Sequence, residues 1–500
     1  MRAPALKELA MLWLLPPLLG AAGTLGFAPY GYYGLTLLAY AGLIALWWSS
    51  GVGRSALIGF LFGMGYFASG LYWVFISTHY YGGAPAAVGV FLVVALSLIM
   101  SLYFAFAGAL SGVMRNLPRS VWSLLLVPGI ILTTELLRAR LGTGFPWLSP
   151  GYALTDAPVH DLIPVVGVYG VGSLLIAVAG ALVLLVRGYL RERLLVLGLF
   201  VATPFAVWAM PAALSWTQAA DSAIPVAVLQ GNIPQGEKWQ RERRSEILER
   251  YRKLTSEARG ARLIVWPEVT LPALEQHVQP FIDDVDRRAR ARRQTVLLGV
   301  LATPDGELYN AVLAKGMDSG RYYKRHLVPY GEYFPVPDFL LPLLKGVNLR
   351  YSDFTHGPEA QTLIRVDGMA IGLSICFEDA FGYEIRKALP EAGLLVNMTN
   401  DAWFEDSTAP HQHLQIARMR AMEAGRPMLR AANTGISAII SADGRLLQAS
   451  PQFEVDSLSM NVRPRSGATP YVRFGDAPLW LFALIAVGGG MGWALLRRRL

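Results

Sequence analysis

A set of apolar runs, each about as long as a bilayer is thick, constrains this chain most strongly. Seven lie near 9–26, 32–50, 55–77, 86–113, 120–137, 161–186 and 194–213, and an eighth, APLWLFALIAVGGGMGWALL, near 477–496. Helices of this length satisfy their backbone polar groups internally, which hydrocarbon demands. Charge follows the same division. Residues 1–213 hold only ten of the chain's 44 Lys/Arg and five of its 36 Asp/Glu. The pattern predicts a polytopic α-helical membrane domain of eight transmembrane helices plus a water-soluble α/β domain. The expected boundaries are 1–213 for seven helices, 214–474 for the soluble domain, and 475–500 for the last helix and a basic tail. Residues 214–223 are the expected hinge. The first run also reads as a signal peptide, since Arg2 and Lys7 precede it and small residues follow at 20–23. The further spans favour an uncleaved helix.

Loop charges orient the chain. With a cytoplasmic N-terminus, 11 of the 13 basic residues outside the soluble domain face the cytoplasm, and only Arg138 and Arg140 do not. The positive-inside rule prefers this arrangement. It places both termini in the cytoplasm and the soluble domain outside it. The net charge of +8 then records topology, because the soluble part is formally neutral. A nucleic-acid partner is not implied. Cys376 is the single cysteine, so no internal disulfide can consume its thiol.

Within the soluble part, short β-branched runs alternate with charged amphipathic stretches. Strands are expected at 224–233, 262–269 and 294–301, over LYNAVLAKG and GRYYKRHLVPYG, and over MAIGLSICFED and AGLLVNMTNDAW. Helices are expected at 237–260, 273–293 and 409–425. PMLRAANTGISAIISADGRLLQ reads as two strands joined by an Asp-Gly turn. Buried strands between amphipathic helices argue for a layered α/β domain.

Three segments deliver a reactive side chain at or just past the end of an apolar strand. They are LIVWPE with Glu268, GRYYKRHLVPYGEYFP with Lys324 and Glu332, and GLSICFED with Cys376. A nucleophilic thiol needs a base, and its tetrahedral intermediate needs a positive or hydrogen-bonding partner. Glu268, Lys324 and the backbone amide of Phe377 could fill those roles. Plainer readings stand beside this one: a lone cysteine is often a small core hydrophobe, Glu268 could cap a helix, and Lys324 could be a solvated strand residue. A Cys–His pair is the usual alternative. His326, His356, His411 and His413 all lie in this domain, but none has a motif context favouring it. The flanking Glu378 and Asp379 should make a thiolate harder to form.

VWPE, YYKRHLVPYGEYFP, ICFED and NMTNDAWF occur in the order seen in the nitrilase superfamily. That resemblance implies an αββα sandwich with a Glu–Lys–Cys triad. Carried onto these positions, Glu268 is the general base, Lys324 the oxyanion partner and Cys376 the nucleophile, with Glu332 a further active-site glutamate. With flanking spans, and with TGFPWLSPGY, QGNIPQGEKW and HLQIARMRAMEAGRP, the chain is similar to the membrane-bound branch, the apolipoprotein N-acyltransferase family. This implies a bacterial inner-membrane enzyme with its catalytic domain on the periplasmic side. It would pass an acyl chain from a phospholipid, through a cysteine thioester, to the amino group of a diacylglyceryl-modified apolipoprotein. The scheme needs no metal or other cofactor. Trp239 resembles a family position near the pocket, though an ordinary buried aromatic is equally consistent. A tyrosine can follow the nucleophile in that family, and here the residue is Phe377. Glu378 is expected either to shape the pocket or to bond Lys324. Asn400, Asp401 and Trp403 are expected in the site wall, and Arg418, Arg420 and Glu423 as helix ion pairs. DFLLPLLKGVN (338–348) is read as either an acyl-guiding lid or a packed helix. Arg138 and Arg140 are read as phosphate contacts or interfacial anchors. Two other functions compete: a membrane-tethered amide hydrolase using the same triad, and a non-catalytic scaffold or transporter.

Overall fold

The computed structural model of the chain describes residues 6–209, 216–333 and 353–499. The segment 338–348 lies outside them. The described chain forms two compact units, one containing the helices before Tyr72, those from Val90 on, and the C-terminal helix, and the other containing Trp73–Gly89 and Trp216–Arg473.

In the first unit the apolar runs become helices. Among the described residues, Ala86–Val113, Arg119–Arg138, His160–Arg187 and Ala477–Leu496 are long and apolar enough to cross a membrane. A fifth span results if Val52–Gly70 and Trp73–Tyr81, broken between them, count as one. Met11–Gly26 and Tyr33–Trp47 are apolar but shorter. Fifteen residues at about 1.5 Å each reach roughly 22 Å, short of the ~30 Å hydrocarbon layer. Helix length and hydropathy therefore account for four or five of the eight expected spans. Glycines let two of these helices touch: a Cβ on Gly65 would lie 1.9 Å from the Pro17 carbonyl oxygen. Arg138 is buried. Its guanidinium donates to Glu135 Oε2 at 2.6 Å, to the Trp147 carbonyl at 2.7 Å and to Ser149 Oγ at 3.1 Å. It is consumed inside the unit and is no phosphate contact. Arg140 pairs with Asp476.

The second unit is built on strands. In chain order they are β1 (Thr217–Ala219), β2 (Ile224–Gln230), β3 (Leu263–Val265), β4 (Thr295–Ala302), β5 (Tyr309–Gly316) and β6 (Gly320–Tyr323). Next come β7 (Arg365–Val366), β8 (Met369–Ile375), β9 (Leu394–Thr399) and β10 (Met428–Ala432). The last are β11 (Ala438–Ile440), β12 (Leu446–Ala449), β13 (Asp456–Val462) and β14 (Arg465–Gly467). One six-stranded sheet runs β13-β2-β3-β4-β5-β6, and a second runs β12-β11-β10-β9-β8-β7. Alternate side chains decide the layers. Val226 and Val228 of β2 face a core shared with Leu373, Ile375 and Val396 of the other sheet. Ala227 and Leu229, one residue out of phase, pack on Ile247 and Tyr251 of helix Arg244–Glu257 and on Phe281 of helix Gln279–Ala291. The second sheet covers its other face with Leu414, Ala417 and Ala421 of helix Thr408–Ala424. The result is helix, sheet, sheet, helix, as expected.

Local differences have local reasons. Part of the expected hinge is strand, since β1 pairs antiparallel with β14. The expected helix 237–260 starts only at Arg244, after a short turn Gln235–Lys238 and a break at Trp239–Gln240. The two strands expected after Pro427 are three, with β10 and β11 separated at Asn433–Ser437 and β11 and β12 joined around Asp443–Gly444. Gly444 takes φ +79°, which a left-handed turn requires.

Candidate active site

Each reactive side chain leaves the end of a strand. Glu268 follows β3, Lys324 follows β6 at once, and Cys376 follows β8. Cys376 takes φ +51°, a left-handed conformation that costs a non-glycine residue about 1–2 kcal/mol. Such an elbow lifts a nucleophile out of the strand into the site. Its thiol is half-buried, while Glu268 and Lys324 are buried.

The Lys324 ammonium donates to Glu332 Oε1 at 2.8 Å and to Glu268 Oε1 at 3.4 Å. Burial opposes its charge, but Glu332 and then Glu268 outweigh it and hold the pKa well above the usual lysine value. Asn310, on β5, donates to Glu268 Oε1 at 2.7 Å and to Glu332 Oε1 at 3.3 Å. Glu332 Oε2 accepts from the Val328 amide at 2.7 Å, which fixes that carboxylate in place. The Cys376 thiol is pushed up, first by burial and then by Glu268, against the pull of Lys324 and a hydrogen bond from Thr399. At rest it is a neutral thiol beside a carboxylate and a permanent cation.

Glu378 is turned away from the sulfur. Its Oε1 accepts from the amides of Arg325 at 2.6 Å and His326 at 3.1 Å, and its Oε2 from Ile375 N at 2.7 Å and the Tyr322 hydroxyl at 2.9 Å. Glu378 therefore bonds the backbone just past Lys324 and ties it to the cysteine elbow. Burial raises its pKa, and the backbone donors oppose that. Asp379 points instead to His413 and Arg430. The carboxylates that act most strongly on the thiol are Glu268 and then Asp401.

Residues 225–470 match the carbon-nitrogen hydrolase model, and residues 19–182 match the model of the apolipoprotein N-acyltransferase N-terminal domain. An apolipoprotein N-acyltransferase of Methylococcus capsulatus is 41% identical over 95% of this chain and 94% of its own. The chain belongs to the apolipoprotein N-acyltransferase family. Another member, from Photobacterium profundum, is 38% identical over 96% of this chain and 94% of its own. An amidase from Nesterenkonia sp. is 16% identical, with a TM-score of 0.38 over 52% of this chain and 97% of its own.

Against the acyltransferase family's expected site, the structure gathers Glu268, Lys324 and Glu332 in one hydrogen-bonded group, and sets Cys376 within their electrostatic reach. Phe377 is buried and makes an edge contact with Phe381. Trp239 stands outside the hydrogen-bonded group and is 50% exposed. Its neighbour Lys238 turns inward instead, its Nζ donating to the Glu268 carbonyl at 3.3 Å. Burial depresses Lys238 to about 8, against the pull of Glu268. Asn400 donates to Gln235, and the Trp403 carbonyl accepts from Ser77. Arg420 pairs with Glu423 as the i, i+3 spacing suggests, whereas Arg418 donates to the Gly444 carbonyl. His326 stacks on Phe381 and His356 contacts the Arg325 carbonyl. Among the described residues, no group of three His, Cys, Asp or Glu side chains is arranged to hold a metal ion.

Sequence reasoning missed Asn310, Lys238, Asn397 and Arg430. A visible signal existed for the first. Asn310 is a lone amide near the start of an otherwise apolar strand, YNAVLA, and a buried amide must be bonded.

Proposed function

We propose that the chain is a phospholipid:apolipoprotein N-acyltransferase working by a ping-pong scheme, with Glu268 as base, Cys376 as nucleophile and Lys324 as oxyanion partner. The observation that carries this reading is the Lys324 ammonium, kept charged between Glu332 and Glu268 beside a neutral thiol on a left-handed elbow. A resting thiol needs its proton removed during attack, and Glu268 is the carboxylate that acts on it most strongly.

In the first half-reaction the Cys376 sulfur attacks the ester carbonyl of a phospholipid while Glu268 takes the thiol proton. The oxyanion is held by Lys324 and the Phe377 N–H. Collapse breaks the bond to the lysophospholipid oxygen, which leaves with the proton from Glu268, and a thioester remains. In the second half, the α-ammonium of a diacylglyceryl-cysteine gives one proton to Glu268, which releases it to solvent; the free amine attacks the thioester, and its second proton passes through Glu268 to the departing sulfur. The amide forms and the thiol is restored. Glu332 serves as counter-charge to Lys324, and Glu378 holds the Lys324 backbone in register. Trp239, half exposed and next in sequence to Lys238, is offered as a contact for an acyl chain or the lipoprotein.

The same reading assigns eight spans, with the shorter helices completing the count, a domain division at 213 and 475, and a catalytic domain on the periplasmic face of the inner membrane. Charge placement along the sequence supports that orientation. The test is mass spectrometry of the protein after incubation with phospholipid. An acyl adduct on Cys376, absent from Cys376→Ala and discharged by a diacylglyceryl peptide, is expected. No adduct on a folded preparation defeats the covalent scheme, and discharge to free fatty acid alone favours a hydrolase.

A further inference from the structure

Beneath the cysteine elbow lies a buried charged cluster that the mechanism above leaves unused. His413, on helix Thr408–Ala424, is enclosed with both ring nitrogens engaged. Its Nδ1 lies 2.9 Å from Asp401 Oδ1, and its Nε2 lies 3.0 Å from Asp379 Oδ1 and 3.3 Å from the Cys376 carbonyl oxygen. Carboxylates and carbonyls only accept, so both ring nitrogens must carry protons and the ring is an imidazolium. Arg430, on β10, faces the same two carboxylates, at 2.8 Å from Asp401 Oδ2 and 3.4 Å from Asp379 Oδ2. Two cations and two anions thus close the cluster. Asn397, on β9, donates to the Cys376 carbonyl at 3.3 Å and accepts from Arg430 at 2.7 Å.

The Cys376 carbonyl and the Phe377 N–H belong to one peptide unit. The peptide is trans, so the two groups point in opposite directions. Whatever holds the carbonyl from below aims the N–H the other way. A charged donor on the carbonyl also polarises the unit and makes its N–H a stronger donor. We propose that His413 is a positioning residue, whose imidazolium, with Asn397, grips the Cys376 carbonyl and so aims the Phe377 amide at the oxyanion. This rests on the nucleophile reading above. It also gives the left-handed turn at Cys376 a local restraint, which a strained backbone requires.

Two reactions of one sulfur separate this role from plain structural support. Acylation by 4-nitrophenyl palmitate in detergent micelles forms the S–C bond through an oxyanion, expels nitrophenolate and sends the thiol proton to Glu268. Alkylation by iodoacetamide forms an S–C bond, expels iodide and loses the same proton, but no oxyanion develops. The ratio of the two rates on Cys376 therefore cancels the thiol and its base and reports the oxyanion site. The charged groups facing His413 are Asp379, Asp401 and Arg430, and together with burial they set its pKa at about 9. In the wild-type full-length chain the acylation-to-alkylation ratio should fall roughly 10–100-fold as pH rises from 7.5 to 10.5, a fraction of the roughly 10²–10³ carried by a whole oxyanion donor. His413→Gln should show the low ratio throughout, with no pH dependence. A flat wild-type ratio, or His413→Gln slowing both reactions equally, overturns the proposal. The wild-type measurement stands even where the variant fails to fold. If neither reagent modifies Cys376, the nucleophile reading itself has failed.

Discussion

Glu378 offers a sharp test of how the site is held, because its four hydrogen bonds can be removed in steps. In Glu378→Gln one carboxylate oxygen becomes an NH2 group. If the remaining oxygen keeps the Arg325 and His326 amides, the NH2 faces the Tyr322 hydroxyl and the Ile375 N–H. The hydroxyl can turn and accept, but the Ile375 amide cannot, so one bond to a charged acceptor is lost at about 1.5–3 kcal/mol. Taking ~2 kcal/mol, and about 2–4 °C per kcal/mol for a domain of this size, the melting temperature should drop roughly 4–8 °C. Glu378→Ala strands three backbone amides at about 1–3 kcal/mol each, a large share of a typical stability of about 5–15 kcal/mol. That variant should scarcely accumulate. Glu378→Gln should fold yet acylate Cys376 about 10–100-fold more slowly, because the Ile375 amide, one residue before the cysteine elbow, loses its acceptor and misplacement by about 1 Å can cost ~10²-fold. The assay is thermal unfolding of the detergent-solubilised chain beside time-resolved mass spectrometry of the Cys376 adduct. A Glu378→Gln protein that melts and acylates like wild type would refute the reasoning.

Three further outcomes follow from the same contacts. Lys324→Met leaves Glu268 and Glu332 facing one another without a cation, and should abolish acylation by at least about 10³-fold, measured as single-turnover adduct formation. Asn310→Leu removes the amide that fixes both carboxylates. It should lower kcat roughly 10-fold with little change in KM for phospholipid, and a change confined to KM would count against the assignment. The pH dependence of unfolding should carry the mark of His413, whose folded pKa of about 9 lies above the ordinary value of 6.5. Its contribution to stability is complete below pH 6.5 and is lost as pH rises through about 9. His413→Gln should flatten that limb of the stability profile, read by thermal melts from pH 6 to 10.

Much of the site was legible in the sequence, but unevenly. Glu268, Lys324 and Cys376 stood out as candidates at the ends of apolar strands, where α/β domains gather reactive groups, but a plainer reading stood beside each, and only the resemblance gave them roles. Glu332 came from a resemblance in the PYGEY element rather than from spacing. Glu378 was visible as a neighbour of the cysteine and was read as acting on the thiol, whereas its side chain points to the chain after Lys324. The strand ends at Ile375 and Cys376–Ala380 coils into a short 3-10 helix, which turns Glu378 back toward the Ile375 amide and the chain after Lys324, so proximity along the chain says little about proximity of charge. Trp239 and Lys238 show the same lesson, since the aromatic ring is outside and the ammonium within.

The sequence by itself determined the classes of structure. Long apolar runs with few charges demand helices in hydrocarbon, and alternating apolar strands between amphipathic helices demand stacked sheets, because each rests on a local period. It also determined that one thiol exists to be used. Tertiary structure alone decided which polar groups meet. Asn310 reaches Glu268 from 42 residues away, His413 lies under Cys376 from 37, and Arg430 reaches Asp379 from 51. Trp73–Gly89 joins the compact unit of the sandwich, far along the chain from its strands. Electrostatic and hydrogen-bond energies fall steeply over a few ångströms. Whether a buried charge is a liability or part of a catalytic group depends on distances that no local pattern encodes.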